Sequence, residues 1–142
     1  MKIAIYTPYL DSFGGGERYM MTIAECIANK IEIDVLLDIH LFEIKNLKIN
    51  LSKRLNLNLN NINFIKAPIG QGSNFLQRIK FLRQYDFLFY LTDGSIFYST
   101  AKNSILHFQV PFENTVAKNI WGRKKLKSWK LAIYNSKFTK DI

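Results

Sequence analysis

At 142 residues the chain has the length of one well-buried domain and falls short of two ordinary ones. Its 48% hydrophobic and 14% aromatic content excludes a disordered chain, and no apolar run approaches the ~18–20 residues that cross a bilayer. The formal charge of +9 is uneven: residues 118–142 hold eight basic side chains and one acidic, so attraction to a polyanion or membrane surface is expected of that segment alone.

Lysine outnumbers arginine 15 to 5 amid abundant Asn and Ile, a bias that base composition can produce without selection for a polyanion. Cys26 stands alone, so no internal disulfide forms, and a reducing cytoplasm is the expected location. The N-terminus enters strand-like sequence directly, without the basic and then apolar segments of a signal peptide. Cys26, His40 and His107 lack the spacing of a ligand cluster, so neither a metal nor another cofactor is expected.

Residues 3–6 are an apolar strand leading into a loop, 7–13, that ends in Gly14, Gly15 and Gly16. Glu17 then opens a helical pattern in which Met20, Ile23, Ala24, Ile27 and Ala28 share one face, with Asn29 and Lys30 as its stop. Strand, glycine-rich loop and helix in this order put free backbone N–H groups at the carboxyl edge of a strand, where glycines let an anion approach closely. The plainer reading, a βα turn with tight geometry, needs fewer than three glycines.

Residues 31–38 form the second strand, continuously apolar at Val35, Leu36 and Leu37 as in a parallel strand covered on both sides. Leu41, Phe42, Ile44 and Leu47 suit one helix and Leu51 to Leu55 another, and residues 56–63 form a polar connection. Residues 63–67 are the third strand. After the Gly70-to-Asn74 loop, Ser73 or Asn74 caps a helix over 75–84, with Phe75, Leu76, Ile79 and Leu82 inward and Arg78, Lys80 and Arg83 on a solvated face. Residues 87–91, the most apolar strand, are expected at the sheet centre, ending in the loop Thr92-Asp93-Gly94-Ser95. Residues 104–108 form the next strand and 130–134 a last short one, with Asn135 and Ser136 able to cap a further helix. Strand and helix alternate throughout. The fold expected is α/β: a Rossmann-like open, mostly parallel sheet with helices on both faces, one domain over 1–142.

Two glycine-loop chemistries can be tested on the residues. A P-loop requires Gly-Lys-Ser/Thr at the helix start, and here Gly16 is followed by Glu17 and Arg18. The dinucleotide fingerprint finds Gly14 and Gly16 in its first two positions but Tyr19 in its third, after a loop longer than that turn permits. Asp38, at the end of the second strand, is the one residue that fits it as a ribose ligand.

The segment KIAIYTPYLDSFGGGERYMMTIAECIA resembles the start of a GT-B glycosyltransferase of family 4, where a glycine-rich loop with Gly-Gly-x-Glu-Arg leads into the first helix. YLTDGSIFYSTAKNSILHFQVPF is similar to that family's strand ending in a His followed closely by Pro. IYNSKFTKDI resembles the Asn-Ser-x-x-Thr segment at which its N-terminal domain passes towards the C-terminal one. The resemblance covers nearly all of the chain.

It implies the N-terminal, acceptor-side half of a GT-B fold, with a nucleotide-diphosphate sugar as donor substrate and a glycan or lipid-linked acceptor. Gly15 and Gly16, supported by Gly14, would lie against the donor diphosphate. His107 would face the interdomain cleft as the catalytic candidate, orienting the acceptor or bonding the donor sugar; a buried, hydrogen-bonded histidine is the alternative. Tyr9, Asp11 and Asp93 are acceptor-side candidates by loop position, although Asp93-Gly94 also suits a simple turn.

The family's Glu-x7-Glu motif and most of its donor contacts belong to the C-terminal domain, which this sequence lacks, so the chain alone is expected to bind weakly and turn over little. Trp121 and Trp129 flank Arg123, Lys124, Lys125 and Lys127, which suits a peripheral contact with an anionic inner-membrane surface or, equally, a solvated basic helix. A non-catalytic α/β module for a phosphorylated or glycan ligand is the competing reading. Nucleic-acid binding lacks a recognition motif and is not expected.

Overall fold

The computed structural model of the chain describes residues 1–12, 14–70, 72–92 and 98–108. The elements follow the order β1 (Ile3–Tyr6), α1 (Gly15–Ala28), β2 (Ile33–Leu37), α2 (Ile39–Glu43), α3 (Leu47–Leu55), β3 (Ile62–Lys66), α4 (Phe75–Leu82), β4 (Phe87–Thr92) and β5 (Asn103–Phe108). The expected last strand and helix fall outside the described residues.

The five strands make one sheet in the order β3-β2-β1-β4-β5, and all four pairings are parallel. This is an open Rossmann-like α/β sheet. The chain moves outward from β1 to β3 and then returns to β4 on the other side of β1. The sense of winding therefore reverses between β1 and β4, which creates a crevice at their carboxyl ends. The most apolar strand, β4, is internal but not central. β1 holds the centre, because its four residues pair on both sides, Ile3 with Ile33 and Phe87, Tyr6 with Leu36 and Tyr90.

Alternation along each strand divides the core into two layers. Ile5, Val35 and Leu91 face α1 and α3, where Met20, Met21, Ala24, Leu51 and Leu55 close over them. Ala4, Tyr6, Leu36, Leu88 and Tyr90 face the other way, towards Leu82 of α4 and Tyr85. Helices cover both faces, and each fully buried Leu or Ile contributes roughly 1.5–3 kcal/mol.

The connections show why the elements stop where they do. Asn56 takes the left-handed region (φ 54) at the end of α3, and the Leu57 N–H returns to the Ser52 carbonyl at 3.2 Å. Asn74 caps α4, its side-chain oxygen accepting from the Leu76 and Gln77 N–H groups at 2.9 and 3.5 Å. Residues 98–102 run alongside α4 without forming a helix, the Thr100 hydroxyl donating to the Ile79 carbonyl at 2.8 Å.

The inward face expected of α4 is corrected. Phe75 is 50% exposed and Leu76 73%, whereas Leu82 is fully buried and Arg78 is half-buried. Helical spacing marks which residues share a face, but the packing on Ala4, Leu36, Leu88 and Tyr90 is made by Leu82, at the C-terminal end of α4. Among the described residues, no helix is long and apolar enough to cross a membrane.

Candidate functional site

The carboxyl edge of the sheet gathers the loops after β1, β2 and β3 and the end of β4. Thr7 and Thr92, at the ends of β1 and β4, are fully buried where the winding reverses. The loop after β1 is a folded turn: the Ser12 N–H and hydroxyl both donate to the Tyr9 carbonyl, at 3.1 and 2.9 Å. Leu10 anchors this turn in the α1-side core, leaving Tyr9 and Asp11 half-buried around it.

Gly14 ends the turn as the N-cap of α1, with extended backbone (φ −96, ψ −175) and no side chain capping the helix. Neither Gly14 nor Gly15 has a positive φ. Among the described residues, a Cβ on Gly15 would meet nothing within 4 Å, and one on Gly14 only the Ser12 hydroxyl at 3.9 Å. Neither backbone conformation nor packing against the described residues explains these two glycines. Among those residues, nothing fills the space that their missing side chains leave at the α1 N-terminus, where N–H groups and the helix dipole favour an anion. Gly16 and Glu17 are buried in the first turn.

His107 lies one residue from the end of β5, opposite Leu91 of β4. Its imidazole is half-buried, 4.9 Å from the ring of Tyr19 in α1, which also edges onto Phe89 at 6.2 Å. The structure thus brings His107 to the helix that the glycines open. It brings Asp11 elsewhere: an Asp11 carboxylate oxygen lies 2.9 Å from Nε2 of His40, at the start of α2. That hydrogen bond, with the Asp11 charge, holds the exposed His40 imidazolium above the ordinary histidine range. His40 was not foreseen at this edge. Its partner is 29 positions away, and only their shared location after successive parallel strands joins them.

On the α4 side of the same edge, Tyr6 and Tyr90 stack with centroids 5.2 Å apart and planes 12° from parallel. Burial first, then the nearby Asp38 and the tyrosines Tyr90 and Tyr9, push the Tyr6 phenol well above its usual range, against an opposing pull from Arg78. Tyr6 is a neutral hydrogen-bonding group at any physiological pH. Asp38 serves the structure, its carboxylate accepting from the Leu41 N–H at 2.9 Å as the cap of α2.

Asp93 and the group Trp121, Arg123, Lys124, Lys125, Lys127 and Trp129 lie outside the described residues. Among the described residues, no three His, Cys, Asp or Glu side chains gather to hold a metal ion. Comparison with protein-family models, curated proteins and solved structures found no match.

Proposed function

We propose that the chain is the acceptor-side domain of a glycosyltransferase that moves a sugar from a nucleotide-diphosphate donor to an acceptor hydroxyl of a glycan or lipid-linked acceptor. One observation carries this reading. Gly14 and Gly15 stand at the N-terminus of α1, beside the reversal point of a β3-β2-β1-β4-β5 sheet, and neither their conformation nor packing against the described residues requires a glycine there. A helix N-terminus without a side-chain cap suits a diphosphate leaving group, whose charge grows as the donor's bond between the sugar's anomeric carbon and the phosphate oxygen breaks.

His107 is the residue to orient the acceptor hydroxyl or bond the donor sugar, and its contact with Tyr19 links it to the glycine opening. Tyr9 is the acceptor-side candidate on the loop after β1, whereas Asp11 is engaged with His40. The remaining donor contacts come from a second domain, in cis or in trans, and the reaction takes place in the cytoplasm, at the inner face of the membrane. The reading needs no metal.

The experiment is a titration of the isotope-labelled chain with a panel of nucleotide-diphosphate sugars, followed by amide chemical shifts. Saturable shifts centred on Gly14, Gly15 and Gly16, lost in Gly15→Ala, support the proposal. Shifts absent at millimolar ligand in a folded protein overturn it. His107→Ala separates the two roles: it leaves diphosphate binding intact and removes transfer when the donor domain is supplied.

A further inference from the structure

On one side the described sheet ends at β3. In a parallel strand each residue turns its N–H and C=O to the same side, and successive residues alternate. The Ala67 N–H donates to the Leu37 carbonyl at 2.8 Å, so residues 63 and 65 face β2 and residues 62, 64 and 66 face outward. The Ile62 N–H is taken by the Leu59 carbonyl at 3.1 Å. The Ile62 carbonyl accepts from the Lys48 ammonium at 2.7 Å, and the Asn60 carbonyl accepts from the same group at 3.2 Å. Among the described residues, the backbone groups of Phe64 and Lys66 have no partner.

Lys48 stands where a local rule argues against a lysine. It is the second residue of α3, whose first turn holds no acidic side chain, and a cation there opposes the helix dipole. A breach of local preference calls for a compensating gain elsewhere in the fold. The strand that Lys48 reaches supplies one. Residues 55–65, Leu-Asn-Leu-Asn-Leu-Asn-Asn-Ile-Asn-Phe-Ile, hold no charge, no proline and no glycine. Apolar and amide side chains on an edge with open acceptors are the template on which identical strands stack. Arg54 and Lys66 bound this segment in sequence, and Lys48 guards it in space. Its ammonium also lies 5.8 Å over the half-buried Phe64 ring, so one side chain covers both the edge carbonyls and the aromatic beside them.

We propose that the edge of β3 is a self-association surface for a second copy of this chain, and that Lys48 holds it shut. The occupant is another copy because the segment matches itself: Asn ladders and interdigitated apolar side chains need identical neighbours. With Lys48 in place, an incoming strand finds both Ile62 groups already bonded and only Phe64 and Lys66 open. Two residues are short of the ~3–10 that a strand usually pairs. Without the ammonium, the row of open acceptors runs through residues 60, 62, 64 and 66, beside an uncovered Phe64 ring. The proposal needs no sugar transfer and no ligand at the glycine loop, so it stands or falls apart from the function proposed above.

The test compares the full chain with Lys48→Met, which keeps an unbranched side chain and removes its charge. Sedimentation velocity reads the association, and hydrogen exchange at the Phe64 and Lys66 amides reads its site. Lys48→Met is expected to keep the far-UV circular dichroism of the natural chain and to self-associate about tenfold or more tightly. Exchange at both amides then slows by about tenfold or more as protein concentration rises, because each gains a partner in the new pairing. Adding Lys66→Pro removes one outward N–H without touching the ladder to β2, and returns the protein to the natural association state. Lys48→Arg, which keeps the cation, associates no more than the natural chain. A folded Lys48→Met that associates no more than the natural chain overturns the proposal. So does association during which the two amides exchange at an unchanged or faster rate, which assigns it to loosening of α3 or to another surface. If Lys48→Met loses its fold, Lys48→Gln, neutral and shorter, is read by the same two measurements with the same outcomes.

Discussion

The Tyr85 phenol donates a 2.9 Å hydrogen bond to the Asp34 carboxylate beneath α4, and both side chains are buried. Asp34 stands in β2 between Ala4 and Asn63, a position where an apolar residue would be ordinary. Its charge is met from three directions: the Asn63 amide at 3.0 Å and the Lys2 ammonium at 3.3 Å complete the set. Burial and the bond to Asp34 raise the Tyr85 phenol far above its usual range, so it remains a donor. Tyr85→Phe is expected to cost about 1–3 kcal/mol, and Asp34→Ala at least as much, because it strands the buried Tyr85 donor. Urea unfolding with an unchanged m-value measures both.

The Asp11–His40 pair gives a pH dependence with a definite sign. His40 has its folded pKa raised by the Asp11 hydrogen bond, so the pair's contribution is complete below the unfolded value of about 6.5. It is lost as pH rises through the higher folded value. Following the His40 ring protons by NMR, Asp11→Asn is expected to move the titration down towards about 6.5. An unmoved titration refutes the pairing.

At the opposite edge the sign reverses. Asp86 accepts from the Lys102 ammonium and from the Lys2 backbone N–H at 2.8 Å, and these two bonds, largest first, lower its pKa below 3.8. Its contribution is present above the unfolded value and is lost as pH falls through the folded one. Lys102→Ala is expected to raise the Asp86 titration towards 3.8, measured from its carboxyl carbon shift.

Two glycines separate fold from function. Gly70 has φ +94, and a Cβ there would lie 2.9 Å from the Cβ of Asp38. Gly70→Ala is therefore expected to cost about 1–3 kcal/mol or more and to disturb the α2 cap. Gly15→Ala, with open space around it among the described residues, is expected to leave stability within about 1 kcal/mol while weakening diphosphate binding by about tenfold or more. Thermal unfolding and ligand titration on the same two proteins check the contrast.

The sheet was readable from the sequence because parallel strands covered on both faces leave apolar runs, as at Val35-Leu36-Leu37 and Phe87 to Leu91. Every strand in the described residues was found within two residues of its bounds. Strand order was another matter: apolarity ranks burial, and β4 is more apolar than β1, yet the reversal of winding gives β1 the centre. The inward assignment of Phe75 and Leu76 failed because helical spacing assigns a face without saying which end of the helix packs on the sheet. The Asp11–His40 contact left no local trace, since parallel pairing joins loops from distant sequence. At the site, the glycine loop was legible as a pattern. The space that the described residues leave beside Gly14 and Gly15 and the approach of Tyr19 to His107 needed coordinates.

The central strand also decides the order in which the protein can assemble. Among the described residues every pairing is parallel, so no hairpin of these strands can start the sheet. Lys2, at the foot of β1, bonds to Asp86 across a sequence separation of 84. On the ribosome, β1, β2 and β3 can pair as soon as about the first 70 residues have emerged, but β1 must then wait for β4 with one edge unpaired. The nascent chain therefore presents an open strand edge through the synthesis of α4. That interval is when misassembly with another copy, or capture by a chaperone, competes with completion of the sheet.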